Sequence, residues 1–182
     1  LQKAGDLPAA SEFFGHALNL NPRNPTAFIN QEFNAALRAQ KPQPGPSPGA
    51  TERLKPYGGN WNHILGLNGP VDEPNSSYLL ARTFSQGGNH RQAAQLLERV
   101  VSFNPADRGL QLELANAYVA ARFPDKAMDR VRALRSATTA NALDPGDDLA
   151  ITQTEAWAQV GRNDLASAEK LAAAPAPPFE VR

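Results

Sequence analysis

The sequence predicts an all-α fold, a right-handed α-solenoid of helix–turn–helix pairs with one Pro/Gly-rich insert. Three observations carry this. A pattern of small and apolar residues recurs at a fixed interval. Within each unit the apolar residues keep helical spacing. Glycine, asparagine and proline fall where such helices have to end.

The recurrence is read directly from the chain. Leu80, Ala81 and Phe84 return 34 positions later as Leu114, Ala115 and Tyr118. Gly88, Ala93, Leu97 and Val100 return at the same interval as Arg122, Ala127, Val131 and Leu134. Moving back 83 positions from Gly88, Ala93, Leu97, Val100 and Pro105 gives Gly5, Ala10, Phe14, Ala17 and Pro22. That interval exceeds two periods by fifteen residues, so an insert is expected between. Moving on 39 positions from Tyr118 and Ala127 reaches Trp157 and Ala166, which gives the last spacing five extra residues.

Residues 1–40 read as an incomplete first pair and the first helix of a second. Leu1 falls inside a helix and is not methionine, so the sequence reads as a piece of a longer protein. The helix from about Leu7 to Leu20 carries Phe13, Phe14, Ala17 and Leu18. Part of that face is expected to fray or to support weak self-association through the N-terminal end.

Residues 41–74 form the insert, with 7 of the 16 prolines and 6 of the 13 glycines. Pro42, Pro44, Pro46 and Pro48 alternate, which favours extended chain. Thr51–Lys55 and Asn60–Leu67 are short helix candidates. Trp61, Ile64 and Leu65 are expected to stand in for the missing second helix of the pair, in preference to a binding epitope on Trp61 and His63.

Residues 75–173 give three further pairs, and 174–182 a Pro-rich tail. In the first of these pairs, Leu79, Leu80 and Phe84 place a helix over Ser76–Gln86. Gly87-Gly88-Asn89 ends it and caps the next. Asn75-Ser76-Ser77 reads as that helix's start rather than as a glycosylation acceptor. Asp147 or Asp148 is expected to cap the helix that follows. Ala10, Ala93, Ala127 and Ala166 are expected at helix crossings, where a bulky side chain would hold the helices apart.

The sequence carries no recognisable catalytic or metal-binding pattern. Eighteen Lys+Arg balance eighteen Asp+Glu, which argues against general nucleic-acid binding. With no cysteine, thiolate metal sites, disulfides and cysteine nucleophiles are excluded. The histidines, at 16, 63 and 90, lie in unrelated segments. No apolar run approaches the ~20 residues of a membrane span, so no membrane insertion is expected. Nucleotide-loop, nucleophile-elbow and zinc-helix motifs are missing. Asp144–Asp148 lacks the spaced ligands of a calcium loop. The basic run Arg122, Lys126, Arg130, Arg132 and Arg135 reads as a solvated outer face. The reading is of a chain that is not an enzyme, with no cofactor and no metal.

These residues resemble the tetratricopeptide repeat. Its Gly…Ala…Phe…Ala…Pro signature stands as Gly5, Ala10, Phe14, Ala17 and Pro22, and the aromatic of the first helix as Phe84, Tyr118 and Trp157. Arg122 departs from the usual glycine, Lys170 from the aromatic position, and the second repeat loses its signature after Gln40. The resemblance implies a concave groove lined by the first helix of each pair. Asn30, Phe33, Tyr78, Arg82, Asn116 and Glu155 are its candidate contacts. It also implies a non-catalytic scaffold that holds a partner peptide or helix. The lysines of a carboxylate clamp are missing, so that specificity is not implied. A second resemblance rests on the insert. Asn60-Trp61-Asn62, Leu65 to Pro70 and Asp72-Glu73-Pro74 are similar to the soluble repeat tail of bacterial multi-pass membrane glycosyltransferase-like proteins. This would make the fragment an extracytoplasmic accessory domain, with the chemistry elsewhere. The sequence is compatible with a cytoplasmic or an extracytoplasmic compartment.

Overall fold

A computed structural model describes residues 1–41, 47–136 and 145–173. The fold is all-α, with ten α-helices among the described residues and consecutive helices packed in pairs, the class of a helical-repeat solenoid. The helices are α1 (Leu7–Leu20), α2 (Pro25–Arg38), α3 (Pro48–Leu54), α4 (Trp61–Asn68), α5 (Pro74–Gln86), α6 (His90–Phe103), α7 (Arg108–Ala120), α8 (Pro124–Ser136), α9 (Pro145–Gly161) and α10 (Leu165–Ala172). The chain divides into two compact units, Leu1–Leu80 and Ala81–Arg182, with the boundary inside α5.

Most helix starts follow from one side chain. Asp6, Asn24, Ser47, Asn60, Asp107 and Asp164 each accept a hydrogen bond from the backbone N–H three residues on, satisfying a donor that the helix cannot. Three expected caps differ. Asn89 occupies the cap position of α6 but makes no side-chain cap bond. The α5 start belongs to Glu73, not to Asn75 or the serines: its carboxylate accepts from the N–H groups of Asn75 (2.9 Å) and Ser76 (2.7 Å). Asp147 and Asp148 lie inside the first turn of α9, because that helix begins at Pro145.

In the first unit, α1 packs on α2, and α2 also carries α3 and α4. Ile29, Phe33, Ala50 and Ile64 are buried there, while Trp61 and Leu65 are half-buried. Arg53 lays its guanidinium 3.8 Å from the centre of the Phe28 ring, a cation–π contact that ties α3 to α2. A polar stripe accompanies this apolar core. Thr26, Asn30 and Asn34 recur every four residues along α2 and are all buried. Asn30 donates to Pro70 O (2.9 Å) and accepts from Asp72 N (2.7 Å), gripping the extended backbone on both edges. Asn34 donates to Leu7 O (2.9 Å) and to Gln2 Oε1 (3.2 Å). Gln2 donates in turn to Asp72 Oδ2 (3.0 Å). The buried amides thus satisfy backbone groups that would otherwise be stranded.

In the second unit, α7 packs on α6, α8 and α9, α8 packs on α9, and α9 on α10. Val131, Leu134 and Ile151 form a buried cluster with Leu112 against it. Arg135 fastens α8 to α9 through Glu155 (2.9 Å) and Asp148 (3.1 Å).

Four helices, α2, α5, α7 and α9, terminate alike. Each is followed by a residue of positive φ: Gln40 (51°), Gly88 (78°), Arg122 (64°) and Asn163 (62°). In each, that residue's N–H bonds three residues back and the next N–H bonds five back, as Arg122 to Val119 and Phe123 to Tyr118. This is the Schellman turn, which satisfies carbonyls the helix leaves over. Five residues after Gly88, Arg122 and Asn163 come the buried Ala93, Ala127 and Ala168, and five after Gly5 (φ 87°) comes the buried Ala10.

That rule corrects the register of the last pair. Ala166 is exposed and Ala168 takes the crossing position. The final spacing is therefore 41, seven beyond the period of 34 rather than five. Gln159, not Trp157, stands where α5 and α7 have Phe84 and Tyr118. The Oε1 of Gln159 is buried without a hydrogen-bond partner among the described residues.

Candidate functional site

The left-handed residues also index the faces of the first helices. Counting six positions back from each gives Asn34 on α2, Arg82 on α5, Asn116 on α7 and Trp157 on α9. In the first unit this position is closed. Asn34 is 0% exposed and bonded as described above.

In the second unit the same position lines an open recess. Arg82, Ser85 and Gln86 of α5 and Glu113 and Asn116 of α7 surround a cavity of about 400 Å³, with Ala81, Leu97, Ala117 and Ala120 as its apolar lining. The small side chains make the room. Arg82, Gln86 and Asn116 are exposed and Glu113 is half-buried. Neither the Arg82 nor the Glu113 side chain has an ion pair or hydrogen bond among the described residues. Asn116 is held at one edge, because Thr154 of α9 donates to its Oδ1 at 2.7 Å. Its Nδ2 has no acceptor among the described residues.

A second recess, of about 500 Å³, shows the contrast. It is lined by Glu98, Tyr118, Lys126, Asp129, Arg130 and Ala133. Its polar groups are already matched: Tyr118 Oη donates to Glu98 Oε1 (2.5 Å), Lys126 to the same oxygen (3.0 Å), Arg132 to Asp129 (2.6 Å) and Arg130 to Gln111 (3.3 Å). Burial pushes the Tyr118 hydroxyl up to about 12, and the bond to Glu98 adds to this. Burial also tends to raise Glu98, but the hydrogen bonds from Tyr118 and Lys126 outweigh it and hold that carboxyl below its ordinary range. The cluster serves as a brace between α6, α7 and α8.

The sequence-predicted contacts are placed as follows. Arg82 and Asn116 come together in the open recess. Tyr78 is half-buried on α5. Asn30 and Phe33 are 5% and 2% exposed, committed to the 70–72 backbone and to the core. They are not open positions, because the insert covers α2. Glu155 is half-buried and engaged with Arg135, a consequence of the two-residue shift in register. The shift brings Trp157, 64% exposed, to the position Glu155 was expected to hold. The signal was present in the sequence. Asn163 tolerates a left-handed backbone, and Ala168 follows it by five residues.

Residues 84–139 match the family model described as a tetratricopeptide repeat. The matched stretch runs from the end of α5 through α8. Tetratricopeptide repeats generally mediate protein–protein interaction and are generally non-catalytic. No curated protein matches the chain. The likeness of the 41–74 insert to membrane glycosyltransferase tails gains no support, since the match does not reach it. No helix among the described residues is long and apolar enough to cross a membrane. No group of three or more acidic or histidine side chains among them is placed to hold a metal ion.

Proposed function

We propose that the chain is a non-catalytic protein–protein interaction module and that the face formed by α5 and α7 holds an extended peptide. One observation carries this. Arg82, Glu113 and Asn116 converge on a single recess with hydrogen-bonding capacity that the fold leaves unused. The recess beside Tyr118 is of similar size but already satisfied. A peptide backbone supplies both donors and acceptors, so it complements a guanidinium, a carboxylate and a fixed amide together. The first unit shows the same chemistry within one chain: Asn30 grips residues 70 and 72 by main-chain atoms alone.

The test is selection of a random dodecapeptide display library on the 182-residue chain, followed by amide-shift mapping with the enriched peptides. Shifts centred on residues 82–86 and 113–120 are expected. An Arg82/Asn116 double alanine variant should lose binding and keep its melting temperature. Absence of enriched peptides, or shifts centred elsewhere, would remove this face as the binding surface.

A further inference from the structure

The third member of the open series is Trp157. It sits six residues before Asn163, as Asn116 sits before Arg122 and Arg82 before Gly88. The helices α7 and α9 pack together, and the Thr154–Asn116 bond joins them at the level of the recess. The face that carries Arg82 and Asn116 therefore continues onto α9. Its chemistry changes there. Trp157 is 64% exposed and Val160, one turn on, 43% exposed. A tryptophan so exposed, flanked by a second apolar side chain, is unusual unless something covers it. Tryptophan is also the residue type that most often anchors a partner.

We infer that the peptide bound by this protein carries an apolar anchor that seats on Trp157 and Val160 and an acidic side chain that meets Arg82. This rests on the groove reading above and specifies its ligand. Charge complementarity selects the acidic end: the Arg82 guanidinium has no counter-ion among the described residues. Glu113, in the same recess, takes main-chain N–H groups from the α7 side. Neighbouring helices lie ~8–10 Å apart. Arg82 and Trp157 are two helix steps from one another, and an extended chain advances ~3.3–3.6 Å per residue. The anchor and the acid are thus about five or six residues apart in the ligand.

The experiment uses the dodecapeptides selected on the intact chain. Enriched sequences should share an aromatic or aliphatic residue and an aspartate or glutamate at that separation. Trp157→Ala should weaken the best peptide at least tenfold, and Trp157→Phe should recover most of the loss. In a Trp61→Phe background Trp157 is the remaining tryptophan, and its emission should shift to the blue on binding. Replacing the peptide's acid with lysine should cost tenfold, and Arg82→Glu should reverse that preference. Peptides that map to α5 and α7 but bind Trp157→Ala unchanged, or lack the acidic residue, would overturn this inference and leave the groove reading intact. If no peptide maps to α5 and α7, the groove reading falls, and this inference with it.

Discussion

Replacing Ala127 with leucine tests the repeat register at its tightest point. Ala127 is 0% exposed on α8, which packs on both α7 and α9. Leucine adds three carbons. Buried without strain they would stabilise by about 2.4 kcal/mol, at ~0.8 kcal/mol per methylene. No space exists for them at full burial, so the helices must part or the side chain must leave its rotamer. The net effect of such overpacking is a loss of about 1–3 kcal/mol. For a unit of this size each kcal/mol shifts the midpoint by roughly 4–8 °C. The far-ultraviolet melt should therefore fall by about 4–24 °C, by the same principle. Ala168→Leu, at 7% exposure, should behave like Ala127→Leu. Ala166→Leu, on the exposed face, should stay within about 0.5 kcal/mol of wild type. If Ala166→Leu proved as costly as Ala127→Leu, or Ala168→Leu were silent, the spacing of five from left-handed residue to alanine would be wrong for the last pair.

Arg122→Gly should stabilise the chain. A left-handed non-glycine residue costs about 1–2 kcal/mol, glycine gives back about 0.5–1 kcal/mol of that as chain entropy, and chemical denaturation should show a net gain of at most about 1.5 kcal/mol. Asp107→Ala removes the bond from Leu110 N (3.0 Å) that starts α7 and should cost about 1 kcal/mol, read from the same curves. Tyr118 should ionise near pH 12, and Tyr118→Phe should erase that step from the phenolate absorbance titration. The sign follows from linkage: because its folded value lies above the ordinary one of 10, Tyr118 contributes stability in full below pH 10 and loses it as pH rises toward 12.

Much of the fold was legible because repetition multiplies weak signals. Gly88, Ala93 and Leu97 mean little alone, but with Arg122, Ala127 and Val131 at the same spacing they define a helical hairpin. The register of the last pair was not legible by the same route. Trp157 is the only large aromatic in α9, so matching aromatics pulled the alignment two residues out of place. The residue that fills the aromatic position is Gln159, which no hydrophobic pattern would nominate. Two of the three residues that converge on the open recess were readable, Arg82 and Asn116, since both are polar residues on first helices. Asn30 was misread for an equally physical reason. A polar residue on a helix face looks free until the segment that lies across it is known, and that segment, residues 70–72, comes forty positions later. Glu73 was missed as a cap because glutamate seldom serves as one; here both carboxylate oxygens reach the helix start.

The constant interval between left-handed residue and buried alanine separates the chain into parts that can change length and parts that cannot. From one buried alanine to the next the distance is 83, 34 and 41 residues, yet the interval from Gly5, Gly88, Arg122 and Asn163 to the alanine that follows is five in all four cases. The extra residues in the longer spacings lie outside all four of these intervals. Geometry explains the difference. One residue lost between Arg122 and Ala127 would rotate the face of α8 by about 100° and carry Ala127 off its crossing, whereas residues added after α8 leave every crossing as it was. The stretch between α8 and α9 is therefore the seam at which a loop, a label or a whole domain can be spliced without disturbing the hairpins on either side.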